Sequence, residues 1–238
     1  MTDIAGFLLV DKPAGITSHD VVDQLRKLSG IRKIGHAGTL DPFATGLLIL
    51  AISRKATREI SHFVKKEKEY IATFVLGATS DTLDKDGVLQ LSEEQKSFTK
   101  DQIIDAIKPL TGMIEQIPPM YSALKIKGKK LYELAREGKT VERQPRPITI
   151  HTFELLDEPV ETDGLTRFQV RIRCSSGTYI RVLAQDLATN LGTLGYVEEL
   201  RRTEIAPYRI EEATRLEDLT STNWTEKLID VPEGGMLP

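Results

Sequence analysis

The sequence predicts an α+β fold: a mixed, largely antiparallel sheet with helices packed on it. Three observations lead there. Short apolar runs of strand character alternate with segments of helical periodicity, yet without the strand-helix-strand rhythm of a parallel sheet. The 238 residues, 40% of them hydrophobic, are enough to bury a substantial core. No internal repeat, low-complexity tract or obvious linker interrupts the chain before its last thirty residues.

Taken in order, Gly6 to Val10 is a short apolar run stopped by Asp11-Lys12-Pro13, and reads as a strand and turn. Ser18 then caps a helix with Val21, Val22, Leu25 and Leu28 on one face, ending near Gly30. Ile31 to Gly46 is too rich in Gly and Pro for a regular element, so it is expected as a long loop feeding the buried strand Leu47 to Ile52. Ser53 to Lys66 is expected as a helix and Tyr70 to Leu76 as a strand. Thr99 caps a helix to Leu110, with Ile103, Ile104 and Ile107 inward. Arg167 to Cys174 alternates like a strand with one exposed face, and Tyr179 to Leu191 is a helix burying Val182, Leu183, Leu187 and Leu191.

Composition narrows the function classes. No run of eighteen apolar residues occurs, and the opening MTDIAGFLLVDKPAG lacks the pattern of a secretory signal, so a cytoplasmic protein with no membrane partner is expected. The single Cys174 fits a reducing compartment and reads as a small buried hydrophobe. A net charge of −3 argues against a chain that coats nucleic acid along its whole surface. Its distribution matters more. From Lys125 to Arg146 eight basic residues stand against Glu133, Glu137 and Glu142, whereas an acidic bias follows Glu211. By itself such a segment is a solvated surface, and it gains weight only if another motif demands an anionic partner.

That motif is Gly35-His36-Ala37-Gly38-Thr39-Leu40-Asp41-Pro42-Phe43-Ala44-Thr45-Gly46. Its glycines permit tight backbone paths and Pro42 fixes the turn, so one carboxylate stands at a stiff corner. An Asp before Pro is ordinarily just a turn residue. The whole string, however, resembles the signature of the TruB-type pseudouridine synthases, with the aspartate five positions after the histidine. Leu9 to Ser18 (LVDKPAGITS), Lys68-Glu69-Tyr70, Ser176-Gly177-Thr178-Tyr179-Ile180-Arg181 and Leu200-Arg201-Arg202 resemble the family's other motifs, in the family's order, from about Gly6 to about Leu219.

The resemblance implies the pseudouridine synthase fold and a tRNA pseudouridine synthase acting on position 55 of the T-arm. The reaction breaks the glycosidic bond, rotates the uracil and rejoins it through carbon, so no metal, redox cofactor or other cofactor is expected. By resemblance Asp41 is the catalytic carboxylate, acting on the ribose as nucleophile or as base; both remain open. It must be ionised, and the resemblance gives Arg181 as the guanidinium that favours that form. The alternative for Arg181 is a surface helix arginine, disfavoured because Gly177-Thr178-Tyr179 leads directly into it. The target base has to be flipped into a pocket. The resemblance assigns Tyr70 to stack on it, Tyr179 and Leu200 to line the pocket, and His36 to the space beside the flipped nucleotide; core packing is the ordinary reading of the two tyrosines and the leucine, and a turn histidine satisfied by backbone that of His36.

Residues 122–147 resemble the family's mobile thumb, which gives the local positive charge a purpose: Lys125, Lys127, Lys129 and Lys130 are candidates for the RNA backbone. The thumb also separates this chain from guide-RNA-dependent relatives such as dyskerin, so no guide RNA is expected; a monomer is expected as well. Residues 1–210 are expected to form the catalytic domain, and 211–238 a short extension without a complete PUA domain, its Leu216, Leu219, Trp224, Leu228 and Ile229 packing back. Thr82 to Gly87 with Glu93 has much of an EF-hand's spacing, but Thr stands at the first ligand position and a strand precedes it. His19, His36, His62 and His151 are too dispersed for a zinc site. Two alternatives are kept: a tRNA-binding or RNA-folding protein that does not depend on turnover, and a ribosomal RNA pseudouridine synthase.

Overall fold

A computed structural model describes residues 4–126 and 128–231 and has the expected α+β fold. The chain forms two compact units, one of residues 1–70 and 201–238, the other of residues 71–200. It passes between them within the strands Lys68–Leu76 and Gly195–Ile205.

In the first unit the strands Gly6–Lys12 and Thr45–Ile52 pair antiparallel over their whole length, from Gly6 opposite Ile52 to Lys12 opposite Gly46. Leu8, Val10, Leu48 and Leu50 pack on one face with Val21, Val22 and Leu25 of the helix Ser18–Ser29. Phe7, Leu9, Leu47 and Ile49 pack on the other with Phe63 of the helix Ser53–Val64. Burial on both faces is why these strands read as continuous apolar runs. Leu216, Leu219 and Trp224 join the first of these clusters, with Leu228 against it, and Ile229 packs on the second; the expected packing of the C-terminal segment is observed. Thr214–Arg215 lies parallel to Gly6–Lys12, and Arg201 and Arg202 lie parallel to Thr45 and Gly46.

Two local expectations fail here. The helix begins at Ser18, but its cap is Thr17, whose side chain accepts from the Asp20 N–H while Asp20 returns a bond to the Thr17 backbone. The segment expected as pure loop contains a three-residue strand, Ile34–His36, paired antiparallel with Ile52 to Leu50. Pairing to an already buried strand overrides the turn-forming composition around it.

In the second unit Arg146–Leu155 runs antiparallel between Gly112–Gln116 and Leu165–Cys174. Phe74 meets Phe153 and Phe168 at centroid distances of 6.0 and 6.2 Å. Helix Lys100–Ile107 is capped by Thr99 as expected and passes into a 3₁₀ turn at Lys108–Leu110, where Pro109 cannot donate. Ile104, expected inward, is exposed: Ile103, Ala106 and Ile107 already make the buried stripe. Leu191 is the C-cap of helix Ile180–Asn190 and only half-buried. Cys174 is buried, as expected of a small hydrophobe.

Candidate active site and RNA-binding segment

The loop carrying Asp41 is fastened from several sides within the first unit. Arg202, 1% exposed, donates from Nε to the Leu47 carbonyl at 2.8 Å and from Nη2 to the Gly38 carbonyl at 3.2 Å. Gly46 must stay glycine at φ 105°, because a Cβ there would lie 2.3 Å from the Arg202 carbonyl oxygen. Ser18 Oγ accepts from the Leu40 N–H at 2.9 Å and donates to the Leu40 carbonyl at 3.2 Å. The Pro42 carbonyl accepts from the Gly15 N–H at 2.8 Å and from Lys12 Nζ at 3.3 Å. Asp41 stands between these two fixed peptides, half-buried, its own carbonyl accepting from the Ala44 N–H at 3.1 Å.

Lys12 is fully buried and also donates to the carbonyls of Pro13 at 2.9 Å and Ile16 at 2.7 Å, matching its three N–H bonds to three acceptors. Burial pushes its amine down to about 8, with nearby Asp41 opposing and Arg202 reinforcing. His36 ends the short strand, half-buried; burial lowers its pKa, the Gly38 backbone opposing, which favours a neutral imidazole near pH 7. Tyr70 is 8% exposed in the strand Lys68–Leu76. A cavity of about 400 Å³ in this unit is lined by Lys12, Thr45 and Arg201 but not by Asp41; Arg201 holds Asp11 there at 3.0 and 2.7 Å.

In the second unit Arg181 is 3% exposed, so the surface-arginine alternative is excluded. Its guanidinium donates to the carbonyls of Thr82 at 2.6 Å and Tyr121 at 2.8 Å and lies 3.5 Å from the buried Asp84. Asp84 in turn accepts from Thr82 Oγ1 at 2.6 Å and the Asp86 N–H at 3.1 Å. Tyr179 is the half-buried N-cap residue of its helix, without a side-chain cap of its own. Gln116, 2% exposed, secures that helix start instead, accepting from the Tyr179 N–H at 2.8 Å and donating to its carbonyl at 3.1 Å. Leu200 is buried in Gly195–Ile205.

The basic segment is a hairpin, Lys125 pairing with Lys130 and Ile126 with Lys129, followed by the short helix Leu131–Arg136. Lys125 and Lys129 are exposed; Lys130 is half-buried, donating to Tyr132 Oη at 3.2 Å with its ammonium 5.3 Å from that ring's centre. Lys127 lies outside the described residues. Arg143 closes the far end by donating to the Pro118 carbonyl at 3.0 Å.

Residues to which sequence reasoning gave no part in the site carry much of this framework. Ser18 reads as a helix cap, Asp84 sits in a rejected metal motif, and Gln116 belongs to no motif. Each acts through a partner from 22 to 97 residues away in the chain. No local pattern records such distances.

Comparison with known proteins bears on this arrangement. Residues 26–180 match the family described as TruB family pseudouridylate synthase (N terminal domain), and residues 181–231 match the tRNA pseudouridylate synthase B C-terminal domain. A tRNA pseudouridine synthase B of Corynebacterium efficiens is 46% identical over 215 residues, which are 90% of this chain and 72% of that protein. One from Saccharophagus degradans is 41% identical over 99% of this chain and 74% of its own length. Among solved structures, a chain of a Cbf5-Nop10-Gar1 complex superposes with a TM-score of 0.69 at 31% identity, covering 90% of this chain and 53% of the other.

Proposed function

This chain belongs to the TruB family of pseudouridylate synthases, and from that premise we propose that it isomerises uridine 55 in the T-arm of tRNA to pseudouridine. The N1–C1′ bond breaks, the base turns, and C5 joins C1′; C5 gives up a proton and N1 gains one, so the product is an isomer. Asp41 is the carboxylate that acts on the ribose. The observation that carries this reading is the fixing of the backbone on either side of Asp41, at Leu40 by Ser18 and at Pro42 by Gly15 and Lys12, which fixes the point from which a half-buried carboxylate is displayed. Holding a reacting group in this way is worth several orders of magnitude in rate.

The other roles follow the family resemblance. Arg181 favours the ionised carboxylate, Tyr70 stacks on the flipped uracil, Tyr179 and Leu200 line its pocket, and His36 occupies space beside the flipped nucleotide. Residues up to 210 form the catalytic domain, with 122–147 as a thumb in which Lys125, Lys127, Lys129 and Lys130 meet phosphates. The test is to incubate the protein with unmodified tRNA, map pseudouridine at single-nucleotide resolution, and repeat with Asp41→Asn. Modification of one T-arm uridine by the wild type alone is expected. Modification of ribosomal RNA but not tRNA, or a tRNA-folding effect that Asp41→Asn retains without any pseudouridine, would replace this reading.

A further inference from the structure

We propose that Ser18 is a positioning residue for Asp41: its hydroxyl fixes the peptide from which the reacting carboxylate is displayed. The inference rests on the role proposed for Asp41 and adds to it. A serine at the start of a helix ordinarily satisfies the helix's own amides. Here Thr17 and Asp20 complete that capping box, so the Ser18 hydroxyl is not needed there. It is spent 22 residues away, where Oγ accepts from the Leu40 N–H at 2.9 Å and donates to the Leu40 carbonyl at 3.2 Å.

The Leu40 carbonyl and the Asp41 N–H belong to one peptide plane, and the orientation of that plane sets φ of Asp41. On the far side, Asp41 precedes a proline and is thereby restricted to extended backbone. The Pro42 carbonyl is bound by Gly15 and Lys12, so only the Leu40 side depends on Ser18. Ser18 is 1% exposed, and its environment shields both bonds from competition by water. Arg202 holds the ends of the loop at Gly38 and Leu47 independently. Loss of the Ser18 hydroxyl therefore removes both of these bonds from Leu40 while the loop stays attached.

The test compares Ser18→Ala with Thr17→Ala, which weakens the same helix without touching Leu40. For each, the single-turnover rate on tRNA at saturating enzyme, the tRNA Kd and the urea midpoint are measured, with wild type and Asp41→Asn as references. Ser18→Ala is expected to slow turnover about 10- to 100-fold, the scale of a displaced reacting group, with Kd within about twofold of wild type. Thr17→Ala is expected to lower the urea midpoint and keep the wild-type rate. The proposal is overturned if Ser18→Ala turns over like wild type, or if Thr17→Ala slows turnover as much. Should Ser18→Ala not fold, amide exchange at Leu40 in the wild type decides: protection supports the bond, and exchange at the rate of an open loop removes it. A wild type that makes no pseudouridine would instead sink the proposed reaction, which the reference arms reveal separately.

Discussion

The Asp41 loop and the basic hairpin both resemble functional parts of the family, yet their polar and charged side chains are used in different ways. The loop is fastened by buried side chains with long-range partners: Ser18 on Leu40, Lys12 on Pro42, and Arg202 on Gly38 and Leu47. In the hairpin and the short helix after it, Leu131 and Leu134 are buried and the backbone is tied to Leu124 and Ser122, while charged side chains pair at the surface, Lys129 with Glu137 at 3.9 Å and Lys139 with Glu137 at 2.6 Å. Buried bonds are expensive to leave unmade, whereas exposed pairs contribute little and exchange freely with water. The difference matches the division of labour proposed for the two segments. Chemistry on one sugar carbon needs a group that is already in place, while a grip on phosphates needs charge that can adjust to an RNA surface.

The largest effect expected from this contrast is in the loop. Asp41→Asn should lower the single-turnover rate by about 10³-fold or more while tRNA affinity changes by less than about threefold, because the role proposed for the carboxylate is on the reacting sugar and not in gripping the RNA. A parallel loss of affinity would mean that the loop grips the RNA as well, and the contrast would be too sharp.

Next in size is Arg181→Met, which joins the two styles of fastening because its guanidinium holds the Tyr121 carbonyl at the root of the basic segment. The variant leaves Asp84 buried beside a lost charge and strips the Thr82 carbonyl of a donor. Breaking one side of a buried pair costs about 3–5 kcal/mol. Urea unfolding measures it, and a loss well under 1 kcal/mol would show that this arginine is not a structural brace.

How much of this was legible from the sequence depended on whether the cause was local. Strands Gly6–Lys12 and Thr45–Ile52 could be read because burial on both faces leaves an unbroken apolar run. Ile34–His36 could not, since Gly35 and the Gly- and Pro-rich surroundings outweigh the strand preference of one isoleucine until Ile52 to Leu50 supply partners. Thr17 and Ser18 are adjacent hydroxyls, each able to cap. The choice between them is made by Leu40, 22 residues away from Ser18. The Asp41 motif was recognisable as a string, but Lys12 reads as a turn lysine and its three carbonyl partners emerge only on folding.

Lys12 offers a smaller and more diagnostic effect. Its amine titrates at about 8 in the folded protein against 10.5 ordinarily, so burial of the charge costs stability in full below pH 8. Between those values the unfolded chain binds more protons than the folded one, and stability rises with pH. Relative to Lys12→Met, the wild type should therefore gain up to about 3 kcal/mol between pH 7.5 and pH 10 in urea unfolding. A flat difference would mean that the three carbonyls hold the ammonium charged throughout, and that burial is fully offset by hydrogen bonding.

The smallest expected effect is in the hairpin, where it tests the other half of the contrast. Lys129 is exposed, and its 3.9 Å pair with Glu137 is weak enough to yield to a phosphate. Lys130 is half-buried, its ammonium held by the Tyr132 hydroxyl at 3.2 Å and the ring face at 5.3 Å. The two lysines should then behave differently although they are neighbours in sequence. Each phosphate contact contributes about 0.7–0.9 to the slope of log affinity against log salt, because neutralising it releases a counterion. Lys129→Ala should flatten the slope by nearly that amount and weaken tRNA binding several-fold, with the thermal midpoint unchanged. Lys130→Ala should flatten it less and lower the thermal midpoint slightly, since Tyr132 loses one of the two cations, Lys130 and Arg136, that lie against its ring, and its hydroxyl loses a donor. Equal slopes for the two variants would show that Lys130 leaves Tyr132 for the RNA, and an unchanged slope in both would return the hairpin to a solvated surface with no part in binding.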